Sequence, residues 1–147
     1  MNIYIGADHH GFKDKTKLID YLKSQGYEVI DEGDVSLNPE DDFPVFAAKV
    51  VQHILSDNSD SRGILLCGSG QGMCMAANRF KGIRASMCWD EKEAYSARHD
   101  DDSNILCLSA DNTDWEYMKR IIEAWLTTPF APEERFIRRI KELDNLG

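Results

Sequence analysis

The stretch Ile64 to Phe80, ILLCGSGQGMCMAANRF, constrains this chain more than any other. It opens with a short apolar run, Ile64 to Cys67. Alternating glycines follow at Gly68, Gly70 and Gly72, then a segment of helix formers from Met73 to Phe80. That order spells a buried strand, a tight turn and a helix. Glycine permits positive φ and lets the backbone approach a ligand closely. Free N–H groups at the helix start favour negative charge in the same space. Cys67 closes the strand and Ser69 lies in the turn, so a thiol, a hydroxyl and a set of amide donors face one pocket. A thiol at a helix N-terminus can have its pKa drawn towards neutrality, which makes Cys67 a candidate base or nucleophile. It also reads as an apolar residue closing a buried strand, since free cysteine is among the most buried residue types. Taken alone, the stretch leans to the second reading. Cys74, Cys88 and Cys107 fall in helical or strand patterns and read as core.

The rest of the chain repeats the alternation. Strands are expected at Ile3–Ile5, Tyr27–Ile30, Arg84–Cys88 and Ile105–Leu108, besides Ile64–Cys67. Helices are expected from Phe12 to Gln25, stopped by Gly26, from an Asp42 cap to Leu55 with Pro44 in its first turn, at Glu91–His99, at Trp115–Leu126 and at Glu133–Leu143. Five apolar strands joined through helices imply an α/β fold with a parallel sheet covered on both faces. The strands tend to end in Gly, Asp, His or Cys, so the chemistry gathers at their carboxyl ends, where open α/β sheets bind ligands. There is no internal repeat, and 147 residues suit one domain over 1–147.

Charge narrows the partners. The formal net charge of -9 argues against nucleic acid, whose phosphates need basic surface. No apolar run approaches the roughly 20 residues of a membrane span. Strand-like sequence interrupted by Asp8 begins at once, so no signal peptide is expected. The four cysteines lack metal-pair spacing and fit reduced thiols in a cytoplasmic protein.

Three clusters remain. In Asp8-His9-His10-Gly11, a histidine at a strand end could bind phosphate or move a proton, or Asp8 could simply cap a helix beside two half-exposed histidines. Arg135 and Arg139, spaced i, i+4, share a helix face and could grip a phosphate, or form a solvated basic face with Arg138. Arg98-His99-Asp100-Asp101-Asp102 puts carboxylates at a helix C-terminus, against the dipole, which suggests a site or a bound partner as readily as a solvated turn. A dinucleotide reading of Gly68-x-Gly70, with Asp90 about 20 residues on, fails because the third glycine would fall at Met73. A phosphatase loop would need an Arg after the Cys, and Gly68 to Met73 has none.

With these positions in place, the chain resembles the type B ribose-5-phosphate isomerases and galactose-6-phosphate isomerase subunits over nearly its whole length. The carriers are Gly6-Ala7-Asp8-His9-His10-Gly11-Phe12, Asp31-Glu32-Gly33, Asp42-Phe43-Pro44, Cys67-Gly68-Ser69-Gly70-Gln71-Gly72, Ala76-Ala77-Asn78-Arg79 and Gly82-Ile83-Arg84-Ala85. The resemblance implies a three-layer αβα sandwich on a five-stranded parallel Rossmann-like sheet. A C-terminal helix would reach a dimer partner, with a homodimer or a dimer of dimers as the assembly. It also implies aldose–ketose isomerisation of a phosphorylated sugar through a cis-enediolate, without metal or cofactor. Cys67 matches the base; a branch using Glu after the turn is excluded by Met73. Ser69 would contact the reacting oxygens and the amides of Gly68, Gly70, Gln71 and Gly72 would stabilise the enediolate. Asp8 would assist in holding substrate, and His9, Arg135 and Arg139 would hold phosphate, some of them from the other subunit. Where the family carries Arg-x-His-Asn-Asp, with the His assisting ring opening, this chain places Asp100 and Asp101 at the His and Asn positions, with His99 one residue early. Either Asp100 serves as acid/base, or His99 swings in, or activity is changed. Ribose 5-phosphate is the expected substrate; the alternatives are allose or galactose 6-phosphate, or a non-catalytic phosphosugar-binding role.

Overall fold

A computed structural model describes all 147 residues. The elements run β1 (Asn2–Ala7), α1 (Phe12–Ser24), β2 (Glu28–Asp31), α2 (Phe43–Ser56), β3 (Ser61–Cys67), α3 (Gln71–Ala77), β4 (Ala85–Met87), α4 (Glu91–His99), β5 (Ile105–Ser109), α5 (Trp115–Thr127) and α6 (Glu134–Asp144). The strands form one sheet in the order β2-β1-β3-β5-β4, and every neighbouring pair is parallel. The expected five-stranded α/β architecture is therefore present. β5 inserts between β3 and β4, an order the alternation alone does not specify.

Successive residues of each strand face opposite layers. Ile64 and Leu66 join Ile3, Ile5, Leu106 and Leu108 beneath α1, α4 and α5. Leu65 and Cys67 join Tyr4, Ile105 and Cys107 beneath α2 and α3. This division follows from the handedness of parallel crossovers. α1 leaves β1 towards β2, whereas α3 leaves β3 in the opposite direction. The loops after the adjacent strands β1 and β3 thus part to opposite faces and open a crevice at their carboxyl ends. α5 contributes most to the first layer through Met118, Ile121, Ile122 and the fully buried Trp125. Each such side chain contributes about 1.5–3 kcal/mol on burial. Trp125 Nε1 donates to Ser103 Oγ at 3.3 Å, so its one polar atom is satisfied.

One helix start and one cap depart from the sequence expectation in ways that bear on the site. α3 covers Gln71–Ala77 rather than Met73–Phe80. Gly70 at φ 80° lets the helix start directly after it, and Asn78 ends it. The Asn78 side chain accepts from Ala85 N and donates to Ala85 O, both at 2.9 Å, taking the place of a strand neighbour for β4. Asp42 occupies the N-cap position of α2, but its side chain makes no cap bond. α6 is mostly exposed, tied to the body by the buried Phe136, and Ala131 just before it donates its N–H to the carbonyl of His99 at 3.0 Å.

Candidate active site

The crevice between β1 and β3 collects the first half of the expected site. Asp8, after β1, is only 6% exposed, and its Oδ1 accepts from the amides of His10 at 3.0 Å and Gly11 at 3.2 Å. Gly11 fits because any Cβ there would meet Leu66 at 2.7 Å, so this loop lies directly on the end of β3. Cys67 ends β3 at 5% exposure. Burial pushes its thiol above the ordinary range and Asp8 adds to this, while the amides of Met73, Gly70 and Gly72 pull it down. Burial outweighs the amides, so the thiol lies above its ordinary range. Ser69 Oγ accepts from Gln71 N at 3.3 Å.

The loop after β5 clamps this turn. Ala110 N donates to Cys67 O at 2.9 Å, Asp111 N to Gly68 O at 3.0 Å and Ser109 Oγ to Gly68 O at 2.7 Å. Beside it a cleft of about 370 Å³ is lined by Ser69, Gln71, Ser109 and Asn112, with Trp89 and Tyr117 among its walls. Cys67 does not line this cleft; it packs in the layer beneath α2 and α3, close enough to Asp8 for that carboxylate to act on its thiol.

The loop before α2 adds a residue that the motifs did not point to. Asn38 O accepts from Asp41 N at 3.1 Å, closing a turn with Pro39 at its second position. This turn delivers Asp41 to His9: Asp41 Oδ1 accepts from His9 N at 3.0 Å and lies 2.7 Å from His9 Nδ1. Since an ionised carboxylate can only accept, the proton is on Nδ1. The Asp41 hydrogen bond raises the His9 pKa, and Asp8 and Glu40 contribute in the same sense. His10 packs against His9 with ring centroids 4.4 Å apart and reaches Asp111 at 3.6 Å. Asp41 and the Ser109–Asp111 loop come from separate segments, and their sole sequence signal is that each follows or precedes an element at the carboxyl end of the sheet. Donor atoms of Asp8, His9 and Asp41 lie within 4.8 Å of one another, close enough to share a cation. The short His9–Asp41 bond occupies Nδ1 and leaves Nε2 as the free nitrogen of the ring.

The second half of the expected site lies at the opposite, amino edge of the sheet. His99, Asp100 and Asp101 end α4 and precede β5, four strand residues before Ser109, or about 13 Å at ~3.3 Å per residue. His99 Nδ1 contacts Asp100 Oδ1 at 2.7 Å, and its ring stacks on Tyr95 at 4.9 Å and meets the edge of Phe136 at 6.1 Å. Arg84 Nε donates to the carbonyls of Asp101 and Asp102, both at 3.1 Å. Arg98 Nη1 donates to Asp102 Oδ1 at 2.8 Å. The buried Arg98 and the partly buried Arg84 thus offset the carboxylates that the helix dipole disfavours, and the Asp102 end of the cluster is structural. Burial raises the Asp101 pKa and Asp100 adds to it, while Arg139 and Arg84 oppose. Arg135 on α6 is exposed and donates to Glu133 Oε2 at 3.0 Å. One chain therefore brings together Asp8, His9, Cys67, Gly68, Ser69, Gly70, Gln71 and Gly72. It gathers His99, Asp100, Asp101, Arg135 and Arg139 elsewhere.

Comparison with known proteins now adds to this geometry. Residues 3–143 match the model of the family described as Ribose/Galactose Isomerase. A ribose 5-phosphate isomerase structure from Thermotoga maritima is 43% identical, with TM-score 0.93, covering 99% of this chain and 98% of that one. Ribose-5-phosphate isomerase B from Mycoplasma genitalium, solved with bound ribulose-5-phosphate, is 36% identical with TM-score 0.93, covering 97% and 93%. D-erythrulose-4-phosphate isomerase of Pectobacterium atrosepticum is 38% identical over 88% of this chain and 85% of that protein. No helix is long and apolar enough to cross a membrane.

Proposed function

This chain belongs to the ribose/galactose isomerase family, and we propose that it interconverts the aldose and ketose forms of a phosphorylated sugar, ribose 5-phosphate and ribulose 5-phosphate first among them, with Cys67 as the base. The observation that carries this reading is the placement of the Cys67 sulfur under the amides of Gly70, Gly72 and Met73 at the β1–β3 crevice. The relative that holds ribulose-5-phosphate supports the substrate class. In the proposed cycle the minor thiolate form of Cys67, its own proton lost to solvent and its charge favoured by the turn amides, takes the proton from the carbon beside the carbonyl. The carbonyl oxygen becomes negative, and the turn amides from Gly68 to Gly72 together with Ser69 stabilise the cis-enediolate. The proton then returns to the neighbouring carbon, so no redox partner is consumed. Asp8 orients hydroxyls, and His9, Arg135 and Arg139 hold the phosphate.

The two ends of one chain are too far apart for this cycle. The reading therefore requires a homodimer in which α6 and the His99–Asp101 segment of one copy face the Cys67 crevice of the other. Residues 1–147 act as one domain, working in the cytoplasm, where four unpaired cysteines stay reduced.

A second substrate reading has its own support. His99 is engaged by Asp100 and held against Tyr95 and Phe136, leaving ring opening without a free imidazole. A four-carbon sugar 4-phosphate has its O4 esterified, cannot close a furanose, and needs no ring opening; a relative is named for such a substrate. Both readings are tested by incubating the protein with ribose 5-phosphate, erythrulose 4-phosphate, allose 6-phosphate and galactose 6-phosphate in deuterated water. Isomer formation with deuterium entering at the carbon beside the carbonyl is expected. Failure to convert any of the four at high protein concentration would reduce the chain to a binding protein.

A further inference from the structure

We propose that Asp41 is a positioning residue for phosphate binding: it holds His9 through Nδ1, keeps the imidazole cationic, and leaves Nε2–H as the donor to the substrate's phosphate. This rests on the reading that His9 takes part in holding that phosphate. The geometry is asymmetric in an informative way. Asp41 is 5% exposed at its side chain, and Oδ1 accepts both His9 bonds, from the backbone N at 3.0 Å and from Nδ1 at 2.7 Å. The other oxygen, Oδ2, is buried and has no hydrogen-bond partner. A buried carboxylate with one unpartnered oxygen is costly unless a cation balances it. His9 is the cation in contact with it. Loss of the His9 proton would leave that charge nearly unsolvated, so the carboxylate and the imidazolium stabilise each other. His9 itself is 28% exposed at its side chain, and no protein group takes its Nε2, so a second donor remains for a ligand.

The surrounding groups act in the same direction. Asp8 from the β1–α1 loop and Glu40 from the β2–α2 loop both favour the charged ring. His10 packs on His9, with Asp111 from the β5–α5 loop 3.6 Å away to balance it. With Arg135 engaged by Glu133, the charged form of His9 compensates part of the grip on a phosphate dianion. The His9 pKa lies above its ordinary value. The cation is therefore present below that raised midpoint and lost only as pH rises through it.

The test uses the full chain and three variants, Asp41→Asn, Asp41→Glu and Asp41→Ala. Proton NMR titration of the His9 ring in ligand-free protein is the first readout. The wild-type midpoint is expected above the ordinary histidine value, to fall in Asp41→Asn and to recover in Asp41→Glu. A wild-type midpoint at or below the ordinary value overturns the proposal without any variant. KM for the turned-over sugar phosphate, and Ki for inorganic phosphate, are the second readout. In Asp41→Asn both should rise about fivefold at a pH between the wild-type and variant midpoints found by NMR, the difference between a charged and a neutral donor, and change little below both, with kcat unchanged. A titration midpoint that does not move in Asp41→Asn overturns the positioning role. A midpoint that moves while KM and Ki stay fixed shows instead that the phosphate is not held at His9. A fall in kcat at every pH, with KM unchanged, would place Asp41 in the chemistry and also overturn the proposal.

Discussion

Cys67 is where local forces oppose each other most directly. Burial favours the neutral thiol, and the amides of Met73, Gly70 and Gly72 favour the thiolate. As the proposed base, Cys67 predicts that Cys67→Ala lowers kcat by about 10²–10⁴-fold, with thermal unfolding close to wild type; retained turnover would remove the sulfur from the chemistry. The raised thiol also predicts a pH course. Inactivation by iodoacetamide should keep accelerating through pH 9, since the thiolate fraction grows until pH exceeds the thiol's pKa, and substrate should protect. This is measured in a Cys74→Ala background, because the Cys107 thiol, Met87 backbone and Asn78 side chain lower Cys74 to about 7; a rate that levels near pH 8 would contradict the assigned burial. At this scale the sequence was readable wherever chemistry and backbone need coincide within a few residues. Cys67 and the glycines declare themselves by spacing. Asp41 does not: it joins His9 across 32 residues, and a polar loop gives no sign of which carboxylate turns inward.

The β3–turn–α3 unit is the element on which the crevice depends, and its glycines can be tested one against another. Gly70 has φ 80°, and a Cβ there would lie 2.5 Å from the Met87 sulfur and 3.0 Å from the Leu108 carbonyl carbon. Gly26 has φ 90° with nothing within 4 Å. Gly26→Ala therefore carries only the left-handed backbone penalty, about 1–2 kcal/mol. Gly70→Ala carries the same penalty plus a clash with the Met87 side chain and a tight approach to the Leu108 backbone. Thermal melts should show Gly26→Ala a few degrees below wild type and fully active, and Gly70→Ala lower still and inactive; equal losses would refute the close approach. The elements were legible because their periodicities are strong: β3 is almost wholly buried, as a central parallel strand must be. Their neighbours were not. Nothing in residues 85–109 states that β5 inserts between β3 and β4, because strand order is decided by crossover handedness and by which layer each helix covers. The charge balance at the acidic end of α4 was hidden for a related reason, since Arg84, which bonds the Asp101 carbonyl, lies 17 residues away.

At the scale of the molecule, the sheet has two chemically distinct ends, and α6 links the second to whatever faces it. Phe136 is buried, while Ile137 is 37%, Leu143 49% and Leu146 72% exposed, so the helix and tail keep apolar surface that this chain leaves uncovered. The proposed dimer uses that surface to bring Arg135 and Arg139 to the Cys67 crevice of the other copy. A two-fold dimer has two equivalent sites, each drawing on both chains. This makes the arrangement testable with two dead proteins. Cys67→Ala removes the base from one chain's crevice, and Arg139→Ala removes the phosphate donor that the same chain lends to its partner. In a dimer of one chain of each kind, both lesions fall in a single site and the other site is wholly wild type. Random reassortment makes about half of all dimers mixed, each with one good site, so the mixture should recover about a quarter of wild-type activity. Recovery should appear only after the two proteins are co-expressed or refolded together, and should travel with the mixed dimers when these are separated from the inactive parental ones. If Cys67 and Arg139 served the same site from one chain, every mixed dimer would contain two damaged sites and the activity would never exceed the mean of the parents. The magnitude of recovery thus reports directly on whether the two ends of the sheet meet through a second copy.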